Sequence, residues 1–207
     1  MDKQHITPKR SLEVNLKHVF LLRHTPIYNY YLPFFYEAVS EDQLRSIPNA
    51  RVNSIVWCLW HVARAEDIGV NRLAMDQSQV VDEGPWLKRM NVPFRHFGIG
   101  MAGAEVAHFS EAVNIVVLKE YHQMVGSRTC EVLNDLSATD FNQVLQDAHL
   151  RGVLEEEGAV RITERQQVYE SYQGMTRGWV LMHLGLTHTF QHIGEAMTIA
   201  SLLRIQR

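Results

Sequence analysis

Apolar residues recur at helical spacing along most of the chain, and Gly and Pro cluster to interrupt that pattern chiefly in residues 84–103. Thr7-Pro8 joins an N-cap residue to a proline suited to the first helical position. It opens a segment that repeats Leu12, Leu16, Val19, Phe20 and Leu22. Thr25-Pro26 repeats the signal, so the first helix is expected to kink or restart there. It then runs on through Tyr28, Tyr31, Phe34 and Phe35, with Pro33 a further irregularity. Ser40 to Gln43 reads as a capping box for one short turn, which Ile47-Pro48-Asn49 ends. A second helix is predicted from Asn53 to Met75. Residues 76–103, with the string DEGPWLKRMNVPFRHFGIG, keep no period and read as a long link. Loops longer than about 15 residues in compact domains are more often functional or disordered than idle, and Trp86, Phe94 and Phe97 indicate that this one packs. From Ala104 to Leu136 a stripe of Val106, Phe109, Val113, Val117, Tyr121, Val125, Val132 and Leu133 predicts a third helix. Ser137 to Asp140 breaks it, and a less regular stretch to Arg165 follows, with short strands or turns around Gly152 and Gly158. Residues 166–205 read as a fourth helix, weakened early by Gly174 and Gly178. The expected fold is all-α: a four-helix bundle in one domain, residues 1–207, with the long link between helices two and three.

Composition adds mainly exclusions. With 46% hydrophobic and 21% charged residues, the 207-residue chain is an ordinary globular one. A net charge of -3 supplies no positive field for nucleic acid or anionic lipid, so neither is expected as a partner. Cys58 and Cys130 lack CxxC spacing, which argues against a disulfide scaffold or a thiolate zinc site and suits a reducing compartment. The N-terminal stretch is charged throughout, and no uncharged apolar run approaches the ~18 residues of a membrane span. A cytoplasmic location is the expectation. Histidine, at 11 copies, is the unusual count.

His188 and His192 stand four apart, on one face of the fourth helix. Leu181, Leu184, Glu195, Ala196, Ile199, Leu202 and Leu203 fall within about 80° of His188, so both histidines lie in the apolar stripe. His183, five residues before His188, is turned about 140° away on α-helical geometry and is excluded as a ligand. A third imidazole comes from the second helix, where His61 shares its face with Ser54, Trp57, Cys58, Ala65 and Ile68, all within about 60°. Three neutral imidazoles satisfy a zinc-like ion while leaving one position open, as catalytic sites do. In a chain with 11 histidines an i,i+4 pair is expected by chance, and a buried histidine often only donates to a carbonyl. What adds weight is that both motifs lie on inward faces. Cys58, one turn from His61, reads as a small core residue. Glu195 is a carboxylate on an apolar stripe, where it orients a ligand, acts as a base, or pairs with an arginine. His5, His18, His24, His96, His108, His122 and His149 have no partner at useful spacing and read as surface or incidental core residues.

The strings NSIVWCLWHVARAED, residues 53–67, and HLGLTHTFQHIGE, residues 183–195, resemble the DinB/YfiT-like superfamily. The resemblance extends over most of the chain, including a long third helix with a tyrosine like Tyr121. It implies an up-down-down-up bundle and a divalent metal, nickel or zinc, held by three histidines, here His61, His188 and His192. Characterised relatives include S-transferases and isomerases that use bacillithiol or mycothiol, although no thiol-cofactor signature is recognisable in this sequence. The leading expectation is a metal-dependent transferase that presents a small thiol to an electrophile held against residues 76–103. The alternatives are a hydrolase using metal-bound water, with Glu195 as base or orienter, and a non-catalytic metal-binding bundle. Phe190 and Ile193 lie off the metal-facing stripe, so the fourth helix is expected to bury a second face, as in a homodimer.

Overall fold

Regular structure is helical throughout residues 15–205, the part described by a computed structural model, with the side chain of Ala138 excepted. No strand forms among these residues; the one β-type feature is an isolated bridge between Val144 and Thr176. The expected helix start at Thr7-Pro8, with Leu12, lies outside the described residues.

Helix α1, residues 16–38, begins as Leu16–Pro26, where the Asn15 side chain accepts from the His18 amide. It continues through two widened π turns, Ile27–Tyr31 and Phe34–Ala38. Pro26 and Pro33 have no N–H to give, and the Leu32 amide reaches back to the Ile27 carbonyl, so the rod widens where the sequence suggested a kink. Glu41–Arg45 is α2, with the capping box of Ser40 and Gln43 formed. Helix α3, residues 55–74, is capped by Ser54, slightly inside the expected start; all of Ile55–Glu66 is buried, and Asp67–Ala74 continues it as a π helix. In the link, Trp86–Met90 forms α4 and stops at Asn91, whose φ of 59° is left-handed.

The expected third helix is two: α5, Ala104–Ala112, and α6, Ile115–Asp135. Asn114 separates them because its side chain accepts from the Val117 amide, starting a new helix inside an apolar stripe that reads as continuous. Short helices α7, Ala138–Phe141, and α8, residues 147–156, occupy the irregular stretch in place of strands. The expected fourth helix is also divided. Arg165–Tyr172 is α9; Gly174, at φ 74°, turns the chain, and Thr176 caps α10, residues 177–202. A π turn, His183–Thr187, sits within α10 immediately before His188.

A fully buried polar network fixes the link against α3 and α6. Arg64 donates to Asp67 (3.0 Å), the Tyr121 hydroxyl (2.8 Å), Gln79 (3.0 Å) and the Arg95 carbonyl (2.8 Å). Asp67 also accepts from the amides of Val80 and Val81, at 2.8 and 3.1 Å, and from Tyr121 at 2.6 Å. Four acceptors serve the terminal nitrogens of this buried guanidinium, two of them, Gln79 and Arg95, in the link, while Nε has none. No helix of the described residues is long and apolar enough to cross a membrane.

Candidate metal centre

His61 lies in the buried part of α3, and His188 and His192 lie one turn apart on α10, which packs along α3. The three rings form a near-equilateral triangle. Centroids are 4.8 Å apart for His61 and His188, 4.5 Å for His61 and His192, and 4.6 Å for His188 and His192. One ligand atom from each lies within 4.8 Å of the others, a spacing that can hold a metal ion. Trp57 stacks on His61 at 4.5 Å and meets His192 edge-on at 6.0 Å, so an indole walls one side of the triangle. His61 is buried, while His188 and His192 are only partly so, which leaves the α10 side open to solvent.

The hydrogen bonds decide which nitrogens are free. The Phe97 carbonyl can only accept, so His61 donates through Nδ1–H and turns a bare Nε2 inward. His192 donates through Nδ1 to Glu195 at 2.8 Å, and the other Glu195 oxygen accepts from the Asn53 amide group at 3.0 Å. His61 Nε2 and His188 Nε2 stand 3.1 Å apart, and His188 Nδ1 is buried without a partner. Burial, and the neighbouring His192, press the pKa of His61 down to about 3. Burial, followed by His61 and His192, takes that of His188 to about 2. These rings are therefore neutral at physiological pH, the form that binds metal. The hydrogen bond from His192 holds the Glu195 carboxyl below its ordinary range, keeping it an anion beside the triangle. Three converging imidazoles, two of them held from behind through Nδ1 and one of those by a carboxylate, fit a divalent cation.

A comparison with protein families matches residues 31–196 to the DinB superfamily. The chain belongs to the DinB superfamily. No curated protein matches it. Within this DinB-superfamily chain the histidines singled out by spacing are brought together, and Glu195 touches His192 and Asn53, with no arginine contact among the described residues. Cys58 falls between the alternatives: it is buried as expected, yet its thiol lies close enough to His192 and Glu195 to form a second ligand group with them. Burial and the Glu195 charge push that thiol's pKa well up. His183 is outside the triangle, but for a reason other than α-helical rotation. The π turn bonds the His188 amide to the His183 carbonyl and brings the rings to 6.1 Å, while His183 stacks on Trp179 at 4.7 Å. Phe97 entered the sequence reading only as a packing residue and Asn53 only as a helix start; Phe97 acts through its backbone oxygen and Asn53 through its side-chain amide, both placed by tertiary packing. Phe190 meets Tyr31 of α1 edge-on and Ile193 is buried, so the second face of α10 is covered within the chain itself.

Proposed function

We propose that this DinB-superfamily chain is a metal-dependent transferase acting on a small electrophile with a low-molecular-weight thiol as cosubstrate. His61, His188 and His192 would hold nickel or zinc. The observation that carries the reading is the imidazole triangle with its His61 and His192 tautomers fixed from behind and its α10 side open. A divalent ion there would act as a Lewis acid, lowering the pKa of a thiol in the remaining position towards thiolate at neutral pH. Phe97 and Glu195 keep the protons of His61 and His192 on Nδ1, so both Nε2 lone pairs remain available. Glu195 is read here as a positioning residue, since both its oxygens are engaged. Trp57 excludes water from one side of the site.

The family's up-down-down-up order is part of this reading, and cross-helix pairs support it. Lys17 meets Asn134 while Lys119 meets Glu37, pairing α1 with α6 in opposite directions. Asn53 meets Glu195 while His61 meets His188, pairing α3 with α10 in opposite directions as well. Ser54 meets Ser110 and Arg64 meets Tyr121, so α3 runs alongside α5 and α6.

The test is elemental analysis of tag-free protein, followed by activity. Wild type and His183→Ala are expected to retain stoichiometric metal, whereas His61→Ala, His188→Ala and His192→Ala lose it. Metal retained by all three triangle variants would reject the site. The metallated protein is then assayed on a panel of electrophiles with and without small thiols. Turnover that needs the thiol supports the transferase, turnover in water alone favours a hydrolase, and none with any thiol favours a non-catalytic bundle.

A further inference from the structure

Away from the imidazole triangle, α1, α3 and α6 bury a second titratable cluster that the proposed chemistry leaves unused. His24 is 1% exposed and Glu66 is 0% exposed. His24 Nε2–H donates to Glu66 Oε1 at 2.7 Å, and the Tyr28 hydroxyl donates to Glu66 Oε2 at 3.0 Å. The other imidazole nitrogen, Nδ1, faces Cys130 Sγ at 3.8 Å. Phe20 stacks on the His24 ring at 5.3 Å and Tyr28 packs against it at 4.7 Å, so the ring is held in this orientation. Cys130 alone of the three is partly exposed, which sets thiol, imidazole and carboxylate in order from surface to core.

That order matters chemically. Burial alone would lower the pKa of His24, but the Glu66 charge and the hydrogen bonds of the ring to Cys130 and Glu66 override it and raise it to about 9. An imidazolium is thus stable against the sulfur, as where a histidine activates a cysteine and a third group orients the histidine. Cys58 is the contrast within the same chain: it is 1% exposed, and its neighbour is the anionic Glu195. A buried His–Glu pair serving stability alone has no need of a part-exposed sulfur on its second nitrogen.

We propose that Cys130 is a nucleophilic thiol, activated by His24 and Glu66, that adds to soft carbon electrophiles such as α,β-unsaturated carbonyls. In the reactive form the Cys130 proton has gone to solvent, and the His24 imidazolium faces the thiolate with Nδ1–H while Glu66 holds Nε2–H. The sulfur lone pair forms the Sγ–C bond at the β-carbon, and the C=C π pair moves onto the carbonyl as an enolate. The His24 proton then passes to the α-carbon, restoring the carbonyl, so that no oxidant or other co-reactant is consumed. This site is independent of the metal reading and stands or falls separately from it.

The test uses the full chain with acrylamide and iodoacetamide as probes at pH 6.5, the adducts being quantified by peptide mapping. Cys130 is expected to react about 5-fold faster than cysteine in an unstructured peptide, because His24 Nδ1 is set against its sulfur. Cys58 should stay unlabelled, which reports an intact fold in every sample. His24→Gln should slow Cys130 at least 10-fold, and Glu66→Gln should slow it less. A wild-type Cys130 slower than the peptide, or an unchanged rate in His24→Gln with Cys58 still protected, would overturn the proposal. If neither variant keeps Cys58 protected, the wild-type comparison decides alone.

Discussion

Burial lowers the pKa of each buried histidine of this chain, yet the net shifts differ in sign, and their partners explain the difference. His61 and His188 have no buried anion in hydrogen-bonding contact and are held neutral, at about 3 and about 2 against an ordinary 6.5. His24 has Glu66 and is held protonated to about 9. For the first two, the unfolded chain binds protons before the folded one as pH falls below 6.5. Stability of the metal-free protein should then drop by about 1.4 kcal/mol per pH unit for each ring. For His24 the sign reverses: its contribution is complete below about 6.5 and declines as pH rises towards 9. Urea unfolding of the metal-free protein between pH 4.5 and 9.5 should show a maximum near 6.5, with the alkaline decline flattened in His24→Gln. A flat profile would contradict both assignments. The sequence distinguished His61, His188 and His192 because helical spacing put them on inward faces. It left His24 and His122 as incidental, because Glu66 and Tyr36, their respective partners, are distant in the chain.

The helices depart from the sequence pattern where side chains or wide turns interrupt the backbone ladder. Asn114 caps a helix within an otherwise apolar run and Thr176 caps one between Gly174 and Gly178, and hydrophobic period alone does not register either cap. The π turn His183–Thr187 matters more, because it shifts the rotation of everything before His188 relative to everything after it. Arithmetic at 100° per residue is sound from His188 to Glu195 and fails across that turn. Seating α1 on α6 is a matter of close approach: a Cβ at Gly126 would lie 2.2 Å from the Tyr28 ring, whose hydroxyl is anchored on Glu66. Gly126→Ala should therefore cost about 1–3 kcal/mol through overpacking, lowering Tm by about 2–4 °C per kcal/mol. A calorimetric Tm equal to wild type would mean that the helices are not packed this closely.

Across the whole molecule, the Arg64–Asp67–Tyr121 network joins helix packing to the metal site. Arg64 holds the Arg95 carbonyl, and two residues further along the link the Phe97 carbonyl fixes the His61 tautomer. Asp67→Ala leaves a fully buried guanidinium without its carboxylate and frees the Val80 and Val81 amides. Loss of about 3–5 kcal/mol of stability is expected in denaturant unfolding. Metal affinity, measured by competition with a chelator, should fall about 10–100-fold, as when a group supporting a ligand is removed. Unchanged affinity in a folded Asp67→Ala protein would show that the link positions His61 without this network.

The sequence by itself determined that the chain is helical, that residues 76–103 form a packed link, and that His61, His188 and His192 point inward. These follow from period, punctuation and residue type, which are local properties. Tertiary structure alone decided that the inward faces meet, that Phe97 and Glu195 lock two of the rings, and that Cys130, His24 and Glu66 form a row. Each of these depends on contacts between residues far apart in the chain or on a backbone oxygen. Hydrophobic periodicity carries no signal for which distant groups will share a hydrogen bond once the helices pack.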